Sequence, residues 1–131
     1  MSRENVDVLN RGYAAVNRGD IDELLLSVHP DVEFTSLIAE AEGETFRGHD
    51  GVRRWWEQVV IPLGGLHGEI EEVRDLGDTV LARVAGTYRP SGVEVHQTVW
   101  NVVRFRDGKA TGWEFFRTEE EAVEAAGLSS S

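Results

Sequence analysis

The spacing of apolar positions changes character along the chain. Across residues 4–18, Val6, Leu9, Tyr13 and Val16 recur every three or four residues, which predicts an amphipathic helix. Gly19 suits its left-handed end, and Asp20 with Glu23 three residues on has the form of a capping box. A second helix is predicted through Ile21, Leu24, Leu25 and Val28, stopped by Pro30. Residues 32–36 then alternate apolar and polar as a short strand, and residues 37–45, with three glutamates and a glycine, suit a loop or irregular hairpin. A third helix is predicted over residues 50–61, with Val52, Trp55, Trp56 and Val59 on its apolar face and Pro62 ending it.

From residue 67 to 117 the period is two, and the spacing predicts antiparallel strands. A Leu-Gly-Asp turn falls within residues 75–78, and the next strand spans residues 80–88. Pro90-Ser91-Gly92 turns the chain into a long strand over residues 93–106, and Asp107-Gly108 is a strong hairpin signal before the last strand, residues 109–117. Thr118 with Glu121 caps a closing helix, and Gly127-Leu128 fits a Schellman ending. Helices first and a meander last indicate an α+β domain. One domain over residues 1–128 is expected, with residues 129–131 a loose tail.

Composition narrows the function classes. The 131 residues are 40% hydrophobic and 28% charged, a balance that can fill one core. With 13 basic and 24 acidic residues the net charge is −11, which disfavours nucleic acid and anionic membranes as partners. No apolar run approaches the roughly 20 residues of a membrane helix. The absence of cysteine removes disulfides and thiolate zinc sites, and the start MSRENVDV lacks a secretory pattern, so a cytoplasmic location is expected. The four histidines, His29, His49, His67 and His96, show no paired ligand spacing, so neither a metal nor another cofactor is expected.

Several stretches taken in order, NRGDIDELL, VHPDVEF, FRGHDGV, LGDTVL, FRDGKATGW and EEEAVEAAGL, resemble the SnoaL-like branch of the nuclear transport factor two-like superfamily. The resemblance implies a cone: a strongly curved antiparallel sheet closed by the N-terminal helices around a pocket. It also implies where the catalytic groups of relatives would fall. The aspartate base of ketosteroid isomerases falls on Ser36, their tyrosine donor on Gly12, with Tyr13 about 100° around the helix, and their acid donor near Asn101. The Arg-Asp pair and second aspartate of limonene-type epoxide hydrolases fall on Ala82, Val84 and Phe115. None of these positions holds a carboxylate.

Alternation along the strands predicts what faces inward: Val32, Phe34 and Ser36; Val80, Ala82, Val84, Gly86 and Tyr88; Val95, Gln97, Val99, Asn101 and Val103; Trp113 and Phe115. The candidate pocket residues are Tyr13, Phe34, Ser36, Trp55, Tyr88, Asn101, Trp113 and Phe115, with Trp55 and Trp56 dividing between core and mouth. Three functions are open: binding a small, largely apolar molecule; isomerase, dehydratase or cyclase-type catalysis on such a molecule; or an interaction module whose cavity is filled. A homodimer is expected, because Thr98, Trp100, Val102 and Phe116 make the outer sheet face unusually apolar.

Overall fold

In the computed structural model, residues 2–35 and 45–127 are described; the side chains of Ser2 and Arg3 are excepted. Ser36, most of the predicted loop, Leu128 and the 129–131 tail lie outside them. The element order is α1 (Ser2–Arg18), α2 (Ile21–Leu26), β1 (Val28–Thr35), β2 (Thr45–Arg47), α3 (Gly48–Trp55), β3 (Leu66–Asp75), β4 (Thr79–Tyr88), β5 (Val95–Arg106), β6 (Lys109–Phe116) and α4 (Glu119–Ala125). The strands form one curved, unclosed six-stranded sheet in the order β2-β1-β6-β5-β4-β3. The helical hairpin, meander and closing helix therefore stand as the sequence pattern indicates.

Three local readings are corrected. The second helix stops at Leu26, so Val28 opens β1 instead of completing a helical stripe. Pro30 thus lies within a strand, at the irregularity between the Val28↔Ala110 and Glu33↔Gly112 pairs, where its missing N–H interrupts no regular ladder. Second, β1 runs parallel to β6, so the sheet is not wholly antiparallel. Third, the helix expected over residues 50–61 is α-helical only to Trp55 and continues as a π-helical turn, Trp56–Val60.

Alternation sorts the sheet into two faces. Val80, Ala82, Val84, Val99, Val103, Trp113 and Phe115 point into the main core, where α1, α2 and α3 supply Leu9, Leu24, Val52 and Trp55. The other face carries Leu81, Trp100 and Val102, and α4 covers it with Ala122 while Phe116, Val123 and Ala126 pack around. Arg74 and Arg83 lie over the Trp100 ring at 5.6 and 5.9 Å. Arg74 also pairs with Glu119, and Arg104 donates to the Ala125 carbonyl at 2.7 Å, fastening both ends of α4. Of the four residues from which a homodimer was expected, Trp100 (7% exposed) and Val102 (0%) are covered within the chain, while Phe116 is half-buried and Thr98 exposed.

The β5–β6 hairpin turns on Asp107 and Gly108, both at positive φ (54° and 75°), as a two-residue turn of the primed type requires. At the edge strand β3, Asn17 takes the place of a missing neighbour: its Nδ2 donates to the Gly68 carbonyl (2.9 Å) and its Oδ1 accepts from the Gly68 N–H (2.8 Å). That grip holds the end of α1 against β3. It also requires a glycine, because a Cβ on Gly68 would lie 2.7 Å from the Tyr13 ring. Gly68→Ala is expected to cost about 1–3 kcal/mol through overpacking. Gly112→Ala, whose Cβ meets only Arg104 at 3.8 Å, is expected to be neutral or to stabilise by up to about 1 kcal/mol. Urea denaturation of the two variants beside the parent measures both.

Candidate functional site

The centre of the domain is an amide. Asn101, midway along β5, is 0% exposed, and its Oδ1 accepts hydrogen bonds from Tyr13 Oη on α1 and Trp113 Nε1 on β6, the latter at 2.9 Å. Because the indole nitrogen only donates, the oxygen must face it, which fixes the orientation of the amide. Its Nδ2 is buried and has no partner among the described residues.

Around this amide the aromatic residues fill most of the chamber. Phe34 lies 4.5 Å from Trp55, 5.9 Å from Trp113 and 5.4 Å from Phe115, centroid to centroid, and Tyr13 lies 5.7 Å from Trp113. What remains is a cavity of about 20 Å³, lined among the described residues by Tyr13, Leu66, Gly68, Val84, Gly86, Tyr88, Gln97, Val99 and Phe115. It has room for about one water molecule. Gly68 and Gly86 are register partners on β3 and β4, so two adjacent strands present no side chain at the same point of its wall. Asn101 lies next to this lining on the same sheet, paired in register with Phe115 and two residues along from Val99.

Leu66 and Tyr88 also line a second, open space of about 640 Å³ at the mouth. Its other walls come from the end of α1 (Val16 to Gly19), Trp56, Gly64, Gly65, His67, Thr87, Arg89, Glu94 and His96. Two half-buried side chains thus separate a small apolar cavity from a polar groove. The Tyr88 hydroxyl donates to Gln97 Oε1 at 3.2 Å.

The eight residues singled out from sequence divide accordingly. Tyr13, Asn101 and Trp113 come together as the buried hydrogen-bonded trio; Phe115 and Tyr88 line the cavity; Phe34 and Trp55 are core, 3% and 1% exposed; Ser36 lies outside the described residues. Trp56, not Trp55, reaches the mouth. Tyr13 points at the chamber, as its place among the pocket candidates requires: Gly12 abuts Trp113 and the next residue reaches Asn101. Sequence reasoning missed Leu66, Gly68 and the groove. His49 is structural, with Nε2 3.0 Å from the Val28 carbonyl. Among the described residues no cluster of His, Asp or Glu could hold a metal, and no helix is long and apolar enough to cross a membrane.

The trio also has an electrostatic signature. Burial pushes the Tyr13 hydroxyl well above its ordinary value near 10, only partly opposed by hydrogen bonding with Trp113 and Asn101. Tyr13 is thus a neutral donor at any physiological pH and no general base.

With this geometry in view, the comparisons with known proteins agree. The SnoaL-like domain family matches residues 9–113, and the chain belongs to that family. Among solved structures, TerC co-crystallised with polyporic acid is 26% identical, with a TM-score of 0.77 over 95% of this chain and 98% of TerC. An NTF2-like protein of unknown function from Burkholderia pseudomallei is 21% identical, with a TM-score of 0.78 over 92% of this chain and 95% of its own. A Mycobacterium tuberculosis protein in complex with estradiol-17β-hemisuccinate is 14% identical, with a TM-score of 0.75 over 89% and 95%. The last two show likeness of fold alone. No curated protein matches the chain in sequence.

Tyr13 makes the fold sensitive to alkali. A hydroxyl whose folded-state pKa is raised stabilises the fold fully below its unfolded value, and that contribution is lost as pH climbs from about 10 toward the folded value. Stability is therefore expected to fall above about pH 10 by an extra 1.4 kcal/mol per unit at most from this group. Tyr13→Phe should remove that extra slope while costing about 0.5–1.5 kcal/mol at pH 7 for the lost hydrogen bond. Urea titrations of both proteins from pH 7 to 11 give the comparison.

Proposed function

We propose that this SnoaL-like domain binds a small, largely apolar molecule at the boundary between the inner cavity and the mouth groove. The observation that carries the reading is the character of the inner lining, which is aliphatic, aromatic or glycine apart from Gln97 and the two tyrosine hydroxyls. An apolar group gains there from leaving water, whereas an unpaired charge would lose several kcal/mol of solvation. As it stands, the cavity admits no ligand larger than water. The body of the molecule rests in the groove against Trp56, Leu66 and Tyr88, and its end enters when the last two side chains rotate aside, with Tyr88 giving up its hydrogen bond to Gln97. The unpartnered Nδ2 of Asn101 is the polar group best placed to meet a carbonyl that penetrates that far. The same lining argues against acid–base catalysis, because Tyr13 stays protonated and no carboxylate or imidazole is among its described residues. That relatives of this fold were crystallised with polyporic acid and a steroid hemisuccinate supports binding of ring-bearing molecules.

The small volume favours one other reading, a chamber filled by its own aromatic side chains and serving only as a scaffold. Titration of intrinsic Trp fluorescence with a panel of neutral aromatic and steroidal compounds separates the two. Saturable binding of these neutral compounds is expected, flat between about pH 5.5 and 8 because the described lining of the inner cavity holds no carboxylate or imidazole. It is expected to weaken about tenfold or more in Val99→Phe, which places a ring in the remaining space, and to persist in Tyr88→Ala, which widens the entrance. If no compound binds and both variants fold with unchanged spectra, the scaffold reading holds.

A further inference from the structure

The mouth groove carries a charge pattern opposite to that of the chain. Its described lining holds two arginines, Arg18 and Arg89, two histidines, His67 and His96, and a single glutamate, Glu94, in a protein whose net charge is −11. These side chains come from four separate places, the end of α1, the start of β3, the end of β4 and the start of β5, so local sequence composition does not explain their meeting. Glu94 is already committed: it accepts from Arg89 at 2.9 Å and lies 3.0 Å from His96 Nε2. The Arg89 hydrogen bond is the largest influence lowering its pKa, so it stays ionised and holds Arg89 and His96 at the rim. Arg18 is held only loosely, 3.9 Å from Asp20 with both side chains about half exposed, and His67 is 3.7 Å from Glu69. An exposed pair at that distance contributes little, which leaves the Arg18 guanidinium able to turn toward an anion in the groove.

We infer that the groove receives a carboxylate, so that the ligand is an amphiphile: an apolar body against Leu66 and Tyr88, and an anionic group between Arg18 and Arg89. The inference rests on the binding reading above and adds the polar half of the molecule. A lone anion gains little from exposed cations in water. Held by apolar contact at the shared Leu66–Tyr88 wall, the carboxylate sits at high effective concentration beside the guanidinium groups. The histidines strengthen the effect when protonated, with Glu94 and Glu69 as the acidic groups that face them.

The test uses the whole chain and two probes of one skeleton, naphthalene-2-carboxylate and naphthalene-2-carboxamide, titrated by Trp fluorescence at low and high salt. The carboxylate is expected to bind about five- to tenfold more tightly at low ionic strength, with the preference shrinking in 0.5 M salt. In the double variant Arg18→Gln/Arg89→Gln the preference is expected to fall to about one, and in Arg18→Lys/Arg89→Lys to be retained in large part; circular dichroism of each variant verifies folding. Equal binding of the two probes by the parent protein overturns the carboxylate site while leaving the apolar reading intact. A preference that survives in the Gln variant places the anion elsewhere and also overturns it. Failure of both probes to bind overturns the binding reading itself.

Discussion

A fully buried amide oxygen that two donors from two different elements must satisfy sets much of this architecture. Burying the Asn101 side chain away from water costs free energy unless its carbonyl is hydrogen-bonded. Here Tyr13 and Trp113 meet that need at one point. Their rings then dictate what lies around them. Gly12 must be small because a Cβ there would stand 3.2 Å from the Trp113 ring, and Gly68 because one would collide with Tyr13. The bare Gly68 backbone is in turn what Asn17 grips from the last turn of α1. One polar group in the core thus fixes the approach of α1 to β3, β5 and β6, with glycine at each place where two elements come close.

Much of the fold was legible because period-two alternation fixes which face each residue joins. On β5, Asn101 and Val103 went to the main core and Trp100 and Val102 to the other side, as the alternation requires. The failures have physical reasons. Val28 satisfies a helical stripe and a buried strand equally well, and Pro30, taken as a helix stop, proved to be a tolerated irregularity in a strand. That β1 lies parallel to β6 is a long-range pairing that no local pattern records. The apolar outer face was read from alternation, but what covers it was not: Ala122 and its neighbours on the closing helix α4 pack against Trp100.

The candidate site was legible in the same uneven way. The strand-borne lining, Tyr88 and Phe115 with Val84, Gly86, Gln97 and Val99, follows from alternation, because each of these strands keeps one face inward along its length. The groove did not emerge, since Arg18, His67, Arg89 and His96 lie at element ends, where neither period applies and the turn of the chain decides direction. His96 shows the difference: by register it faces away from the chamber, and it does so, yet that direction brings it to the groove. Tyr13, a pocket candidate from the sequence, does reach the cavity although the tyrosine donor of ketosteroid isomerases falls on Gly12. A one-residue offset on a helix shifts a side chain by about 100°, yet the broad Trp113 ring touches both Gly12 and Tyr13.

The two spaces differ in what they can do to a bound molecule, and the difference follows from where the polar groups are already engaged. Inside, the Tyr13 proton is given to Asn101, the Trp113 N–H to the same oxygen and the Tyr88 hydroxyl to Gln97. An entering group therefore meets hydroxyl and indole donors that are already engaged, while the buried amide NH2 of Asn101 has no partner among the described residues. The Tyr13 hydroxyl in this interior is held neutral by burial. At the mouth the charges are solvated and partly paired, able to select among molecules without polarising one bond in particular. Catalysis needs charge stabilisation that is fixed before the reaction and shielded from water. Among the described residues the shielded cavity lacks the charge and the charged groove lacks the shielding, the division of labour on which the binding proposal rests.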